Sequence, residues 1–375
     1  MSVAASLHAL LVLSQIPGIG PRRLRSLVEH FGDAALVARV TARELDGVEG
    51  IDRKTALAVA SFFRGNPAAA GRYADDQLGR LERLGGRLVT LWDTDYPSHL
   101  AKIFDPPPFL FVRGSFAESD NASIALVGTR NPSPYGLLMA ERFARALAAL
   151  GIPVVSGLAR GIDTAAHAAS VRTGNRTVAV IGSGLDVLYP PENAALAERI
   201  VAYGALLSEF PLGTQPDAVN FPRRNRIVSG MTLGTLVIET GTDGGAMITA
   251  SLAADQGREV FAVPAAVATG RPSGTNLLIK EGKAKLTESI DDVLVELAPR
   301  FKAMLPAGTS PRPAASDELT LFERRIVDVL GDTPVHIDAL AAQSGFSVPD
   351  ALVHLLALEF KGFVRQRPGK MFVRL

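Results

Sequence analysis

Ser123-Ile124-Ala125-Leu126-Val127, running straight into Gly128-Thr129-Arg130-Asn131-Pro132, is the stretch on which the fold turns. A short apolar run ends in a glycine–arginine loop, and a helical stretch, Tyr135–Leu150, follows it. The same alternation then repeats. Pro153–Ser156, Val178–Ile181, Ala205–Glu209, Thr235–Glu239 and Glu259–Val263 read as further strands. Ile162–Thr173, Glu192–Tyr203, Gly245–Gln256 and Ser273–Glu281 read as the helices between them. Apolar strands alternating with amphipathic helices require right-handed crossovers and a parallel sheet covered on both faces. The fold class is therefore α/β, a doubly wound Rossmann-like parallel sheet, expected over residues 116–300.

Outward from this centre the chain changes character. Residues 1–71 carry a weak internal repeat in which Pro17-Gly18-Ile19-Gly20 and Gly50-Ile51-Asp52, thirty-two residues apart, each precede an apolar-periodic helix. This predicts two helix–hairpin–helix (SAM-like) units in one small helical domain. Glycine turns of that kind can offer backbone N–H groups to a DNA phosphate. Asp52 stands where the second glycine of the second copy belongs and would repel phosphate, so a plain helical packing module is an equal reading. Residues 72–115, broken by Pro106-Pro107-Pro108, read as a connecting region, and 301–318 as a Pro-rich tether. In 319–375, helices at Leu321–Leu330, Asp338–Ser344 and Val348–Phe360 precede two short strands around Pro368-Gly369, which spells a winged-helix domain. Its recognition helix carries Asp350 and Glu359, while Lys361, Arg365, Arg367 and Lys370 belong mostly to the wing. Duplex binding and a protein-interaction role both fit.

In an open parallel sheet, ligands lie beyond the carboxyl ends of the strands. There this chain places Gly128-Thr129-Arg130, then Ser156-Gly157-Leu158-Ala159-Arg160-Gly161-Ile162-Asp163, then Gly182-Ser183-Gly184-Leu185-Asp186, and Glu239-Thr240-Gly241-Thr242-Asp243-Gly244-Gly245-Ala246. Glycine lets backbone approach a ligand and exposes its N–H groups. The fourth strand leads into Asn220-Phe221-Pro222-Arg223-Arg224-Asn225-Arg226-Ile227-Val228-Ser229-Gly230, a basic cluster with no acidic residue inside it. Pro222 suits a first helical turn. Guanidinium groups and free N–H groups there would receive phosphate oxygens. Arg130, Arg160, Arg223, Arg224 and Arg226 along one groove would suit an extended single strand, whose phosphates recur.

Other chemistries are poorly served. The formal charge of +1 leaves any polyanion to be held by a local patch. With no cysteine, disulfides, thiolate catalysis and thiolate metal sites are excluded. The six histidines show no ligand spacing, so no metal is expected. The first loop lacks G-x-G-x-x-G, Ser156-Gly157 stands where a dinucleotide site needs a carboxylate, and no P-loop occurs; no cofactor is expected. The N-terminus shows no signal peptide, and no apolar stretch could span a bilayer, which predicts a soluble cytoplasmic protein. Asp163 and His167 sit four apart on one helix, and Glu239 ends a strand beside a glycine loop. Asp163 reads as a first-turn carboxylate favoured by the helix dipole, and His167 as a packed residue. No nucleophile–base pair assembles, so no catalytic residue is expected.

The loops just quoted, with Tyr189-Pro190, Ile248-Thr249-Ala250, Gly257-Arg258, Val263-Pro264 and Gly274-Thr275-Asn276, resemble the DNA-processing protein A (DprA/Smf) family. The resemblance runs from about Val127 to Gly282, and the flanking modules fit the family's plan. Asp243-Gly244-Gly245-Ala246, in place of a glycine–serine-type loop, and Ala265 after Pro264 depart from it. The resemblance implies a non-enzymatic single-stranded DNA binder, a homodimer through the Rossmann-like domain, that protects incoming strands in natural transformation and loads the RecA recombinase. By match of motif, Arg130, Gly157, Arg160, Arg223, Asn225 and Arg226 are assigned to DNA, with Gly128, Ser156 and Arg224 in the same segments. The alternatives are a nucleotide-processing hydrolase using Glu239 and a duplex-DNA regulator acting through Val348–Arg374.

Overall fold

The computed structural model describes residues 3–65, 67–267, 273–304, 319–331, 333–360 and 363–375. Most of the expected tether, Pro306–Pro313 included, and Lys361 of the expected wing lie outside them.

Helices α1 (Val3–Ser14), α2 (Pro21–Phe31), α3 (Ala34–Val37), α4 (Ala42–Leu45) and α5 (Arg53–Gly65) form the N-terminal unit. Their ends are written in the sequence. Pro21 opens α2, Gly32 closes it at φ 77°, Asp33 caps α3, and a Thr41–Glu44 capping box starts α4. Arg23 joins the two glycine turns, donating from Nε to the Gly50 carbonyl and from Nη1 to the Gly18 carbonyl, each at 2.9 Å. Asp52 accepts the Thr55 amide at 2.7 Å and so caps α5.

Helix α6 (Pro67–Arg83) leads into β1 (Gly86–Thr90) and β2 (Phe109–Gly114). Here the structure departs from the expected connecting region. Both strands join the main sheet antiparallel, β1 on β2 and β2 on β6 (Ala205–Ser208), because Leu88, Val89 and Phe109–Val112 are apolar and buried. The Gln77 side chain exchanges two hydrogen bonds with the Leu212 backbone, and the helical unit shares its core with Ala179, Ile181 and Leu206 of the sheet.

The remaining elements follow the expected alternation closely. They are β3 (Ile124–Gly128), α7 (Pro134–Ala149), β4 (Val154–Ser156), α8 (Ile162–Arg172), β5 (Thr177–Val180), α9 (Ala194–Tyr203), β6, α10 (Asn220–Gly230), β7 (Gly234–Glu239), α11 (Gly245–Asp255), β8 (Glu259–Ala262), α12 (Gly274–Lys280), β9 (Lys285–Leu286) and α13 (Ile290–Met304). The sheet order is β1-β2-β6-β5-β4-β3-β7-β8-β9, parallel from β6 through β9. Side chains alternate across it: Ile124 and Leu126 enter a core with Phe143 and Leu147 of α7, while Ala125 and Val127 enter another with Ile227 of α10 and Ala250 of α11. The chain winds from β3 toward β6, then returns to β7 on the other side of β3. The switch point is the gap beyond Gly128 and Glu239.

The C-terminal unit holds α14 (Leu321–Val329), β10 (Val335–His336), α15 (Ile337–Ser344), α16 (Val348–Phe360), β11 (Val364–Arg367) and β12 (Met371–Arg374). Its three strands run in the order β10-β12-β11 around a core that includes Ile326, Leu340, Leu355 and Phe372. This is the expected winged helix. Among the described residues no helix is long and apolar enough to cross a membrane.

Candidate nucleic-acid interface

At the switch point lies an open cleft of about 640 Å³. Gly128–Arg130 after β3, Gly157 and Ala159 after β4, Phe221, Arg224 and Asn225 of α10, and Gly244–Ala246 at the start of α11 enclose it. Loops distant in sequence therefore converge where the topology says they should.

Arg130 is the cleft's exposed cation. Its guanidinium lies 4.8 Å from the Phe221 ring centroid, and it makes no ion pair among the described residues. Its planar face rests on an aromatic ring while its N–H edge stays free for phosphate oxygens. In the same cleft the N-cap of α11, Gly244, offers no side-chain cap, so the first N–H groups of the helix are unclaimed by a capping group. A Cβ on Gly245 would meet open space. An anion can approach there.

The other glycines serve the protein itself. A Cβ on Gly128 would come within 2.5 Å of Ile162 Cγ1, and one on Gly157 within 2.5 Å of the Arg224 guanidinium. Gly161 takes φ 77° and packs against the Thr129 carbonyl, a conformation only glycine holds without strain. Close approach of chain to chain, rather than to a ligand, fixes these three.

Arg224 lies beneath the cleft, 4 % exposed. Its Nη1 donates to the Gly157 carbonyl at 2.5 Å and to the Val180 carbonyl, and its Nε donates to Asn225 Oδ1 at 3.2 Å. Asp163, also buried, accepts the Gly157 and Ala159 amides at 3.1 and 3.3 Å. Burial raises the Asp163 pKa, while Arg224 and the two amides pull it down. Burial pushes Arg224 down to about 10, Asp163 opposes that shift, and the guanidinium stays charged at neutral pH. The pair clamps the loop after β4 to α10. Asp163 thus does more than the dipole role expected of it.

The expectation of five arginines along one groove is not met. On α10 direction turns by about 100° per residue, so Arg223 and Arg226, three apart, share a face from which Arg224 is turned away. Arg226, 8 % exposed, turns from the cleft to Glu209 at 2.5 Å and Asp105 at 3.1 Å. Arg223 lies 5.3 Å from the Phe210 ring centroid, over a different groove. Arg160 pairs with Glu192 at 2.5 Å and sits 5.6 Å from the Tyr189 ring at the cleft rim. Ser156 is fully buried, donating to the Leu126 carbonyl at 2.6 Å and so tying β4 to β3. Of the residues expected to meet DNA, the cleft gathers Gly128, Arg130, Gly157, Arg224 and Asn225. Phe221 and Tyr189 were quoted in the sequence motifs without a role, and both line the cleft. Their signal was an aromatic within reach of an arginine loop.

The groups considered for catalysis are otherwise engaged. Glu239 accepts from the Ser133 amide at 3.1 Å and from Ser133 Oγ at 2.8 Å, bracing the start of α7. His167 is buried with Nδ1 on Thr177 Oγ1 at 2.8 Å, and burial pushes its pKa to about 3. No group of three His, Cys, Asp or Glu side chains is placed to hold a metal among the described residues. Of the two departures from the family's pattern, the Asp243–Ala246 loop keeps Asp243 exposed outside the cleft lining while Gly244, Gly245 and Ala246 line the cleft, and Ala265 is held through its N–H and carbonyl by Asn276, each bond 2.9 Å.

Comparison with known proteins agrees with this architecture. Residues 87–298 match the family model described as DNA recombination-mediator protein A, 310–370 the DprA winged helix domain, and 10–64 a SAM-like helix-hairpin-helix tandem. The Smf protein of Escherichia coli K12 is 34% identical over 363 residues, covering 94% of each chain. The DNA processing protein DprA of Streptococcus pneumoniae is 42% identical over 207 residues, 55% of this chain and 73% of that one. The X-ray structure of DprA from Streptococcus pneumoniae superposes with a TM-score of 0.64 at 30% identity, covering 79% of this chain and 98% of its own. That of Helicobacter pylori DNA processing protein A, solved to explain its single-stranded DNA binding mode, superposes at 0.51 and 28% identity over 57% of this chain and 97% of its own. With its central domain, its end modules and nearly its whole length matched in this way, the chain belongs to the DNA recombination-mediator protein A (DprA/Smf) family.

Proposed function

We propose that this protein binds single-stranded DNA in the switch-point cleft, shields the strand, and passes it to a RecA recombinase during transformation or recombination. The observation that carries this reading is Arg130, without an ion pair among the described residues and over the Phe221 ring, in the same cleft as the uncapped N-terminus of α11. A guanidinium and uncapped N–H groups in one cleft suit a phosphate, and the ring suits a base of any identity. The single-strand binding described for the Helicobacter pylori relative supports the same ligand. The protein acts without catalysis, since Glu239, Asp163 and His167 all have structural partners. It works in the cytoplasm as a homodimer through the Rossmann-like domain, so that two clefts on one strand raise avidity.

Anisotropy titration of a labelled single-stranded oligonucleotide at two salt concentrations tests the reading. Arg130→Ala weakens binding and flattens the salt dependence. Unchanged affinity and slope would exclude the cleft.

A further inference from the structure

On the far side of α10 from the cleft lies a second groove of about 270 Å³, between the N-terminal unit and the sheet domain. Gly20 and Pro21 of α2 form one wall, and Pro108, Phe210 and Arg223 the other. In the loop between β1 and β2, just before the three prolines, Phe104 stands 77% exposed. An exposed ring of this kind offers a flat face on which a base can stack. The Arg22 guanidinium covers it at 4.5 Å from the centroid. Arg22 and Arg223 make no ion pair among the described residues; Glu209, which also lines the groove, is bound by Arg226.

This arrangement is held in place. Buried Arg226 bridges Asp105, the neighbour of Phe104, to Glu209, the neighbour of Phe210. Tyr96 Oη donates to the Pro107 carbonyl at 2.8 Å and pins the proline turn. The arginine expected to touch DNA instead positions the aromatic rings on either side of it.

We propose that this groove, together with the Phe104–Arg22 pair outside its lining, is a second single-strand subsite, in which a base stacks on Phe104 and a backbone phosphate meets Arg223. The proposal rests on the single-strand reading of the cleft and extends it. The Arg–aromatic pair of the cleft, Arg130 with Phe221, recurs here as Arg22 with Phe104 and Arg223 with Phe210. Stacking on such pairs tolerates any base, and the two unpaired cations suit a polyanion. A strand reaching both subsites must cross α10, about 10 Å wide, or about three nucleotides at about 3.4 Å each, so a dinucleotide cannot occupy both.

The test is binding of oligothymidylates of about 2 and about 20 nucleotides by the full-length chain. Phe104→Ala lowers affinity for the longer strand about tenfold and leaves the shorter one unchanged, and Phe104→Tyr restores it. In a Trp92→Phe background, Phe104→Trp gives fluorescence that the longer strand quenches and the shorter does not. Arg130→Ala weakens both lengths if the cleft reading holds; should it weaken neither while Phe104→Ala weakens the longer, the cleft fails and the groove stands. Wild-type affinity of Phe104→Ala for the longer strand overturns the proposal, as does a loss confined to duplex DNA. Phe104 lies on the surface, so its variants fold.

Discussion

Replacing Arg224 with alanine should unfold the site rather than merely loosen its grip on DNA. The guanidinium is 4 % exposed, supplies hydrogen bonds to the Gly157 and Val180 carbonyls, and balances the buried charge of Asp163. Removing one partner of a buried pair costs about 3–5 kcal/mol, because the other charge is left uncompensated. Against a total stability of about 5–15 kcal/mol that is a large fraction. For a domain of this size each kcal/mol lowers Tm by about 2–4 °C, so the expected drop is about 6–20 °C. Thermal denaturation with single-strand binding measured well below the new Tm separates the two roles. Replacing both partners, as in Asp163→Asn with Arg224→Met, recovers part of the loss, since no lone charge stays buried. A variant with unchanged Tm and abolished DNA affinity would refute the reasoning and return Arg224 to the contact surface.

Arg130→Ala is the opposite case. This side chain is exposed and unpaired, so Tm stays within about 1–2 °C, while loss of a charge-assisted contact of about 1.5–3 kcal/mol weakens single-strand binding roughly tenfold or more. The log–log salt slope becomes shallower by about 0.7. Gly157→Ala drives a methyl group to 2.5 Å from the Arg224 guanidinium and destabilises by about 1–3 kcal/mol, seen as a lower denaturation midpoint. His167 makes the protein acid-sensitive. Its folded pKa, about 3, lies below the ordinary value of 6.5, so between these values the unfolded chain binds a proton that the folded one refuses. Stability falls as pH drops below 6.5, by up to about 1.4 kcal/mol per pH unit, and His167→Gln flattens that part of the profile.

The sequence by itself determined the α/β core. Period-2 and helical patterning are local properties, and strands β3 to β8 with their helices fall within a residue or two of where apolar runs and caps put them. It also determined the end modules and the glycine-loop edge on which the cleft lies. The helical phase was equally there to read, for Arg224 must turn about 100° from Arg223, which shares a face of α10 with Arg226. Tertiary structure decided what each arginine does. Glu192, Asp105, Glu209 and Asp163 come from four separate segments, and only folding brought Arg160, Arg226 and Arg224 against them. Strands β1 and β2 were likewise hidden, because the three prolines between them read as a linker and antiparallel pairing on β6 is a long-range contact. Local pattern fixes elements because it depends on backbone geometry. Whether a charged side chain meets water, a carboxylate or a phosphate depends on which distant surfaces pack beside it.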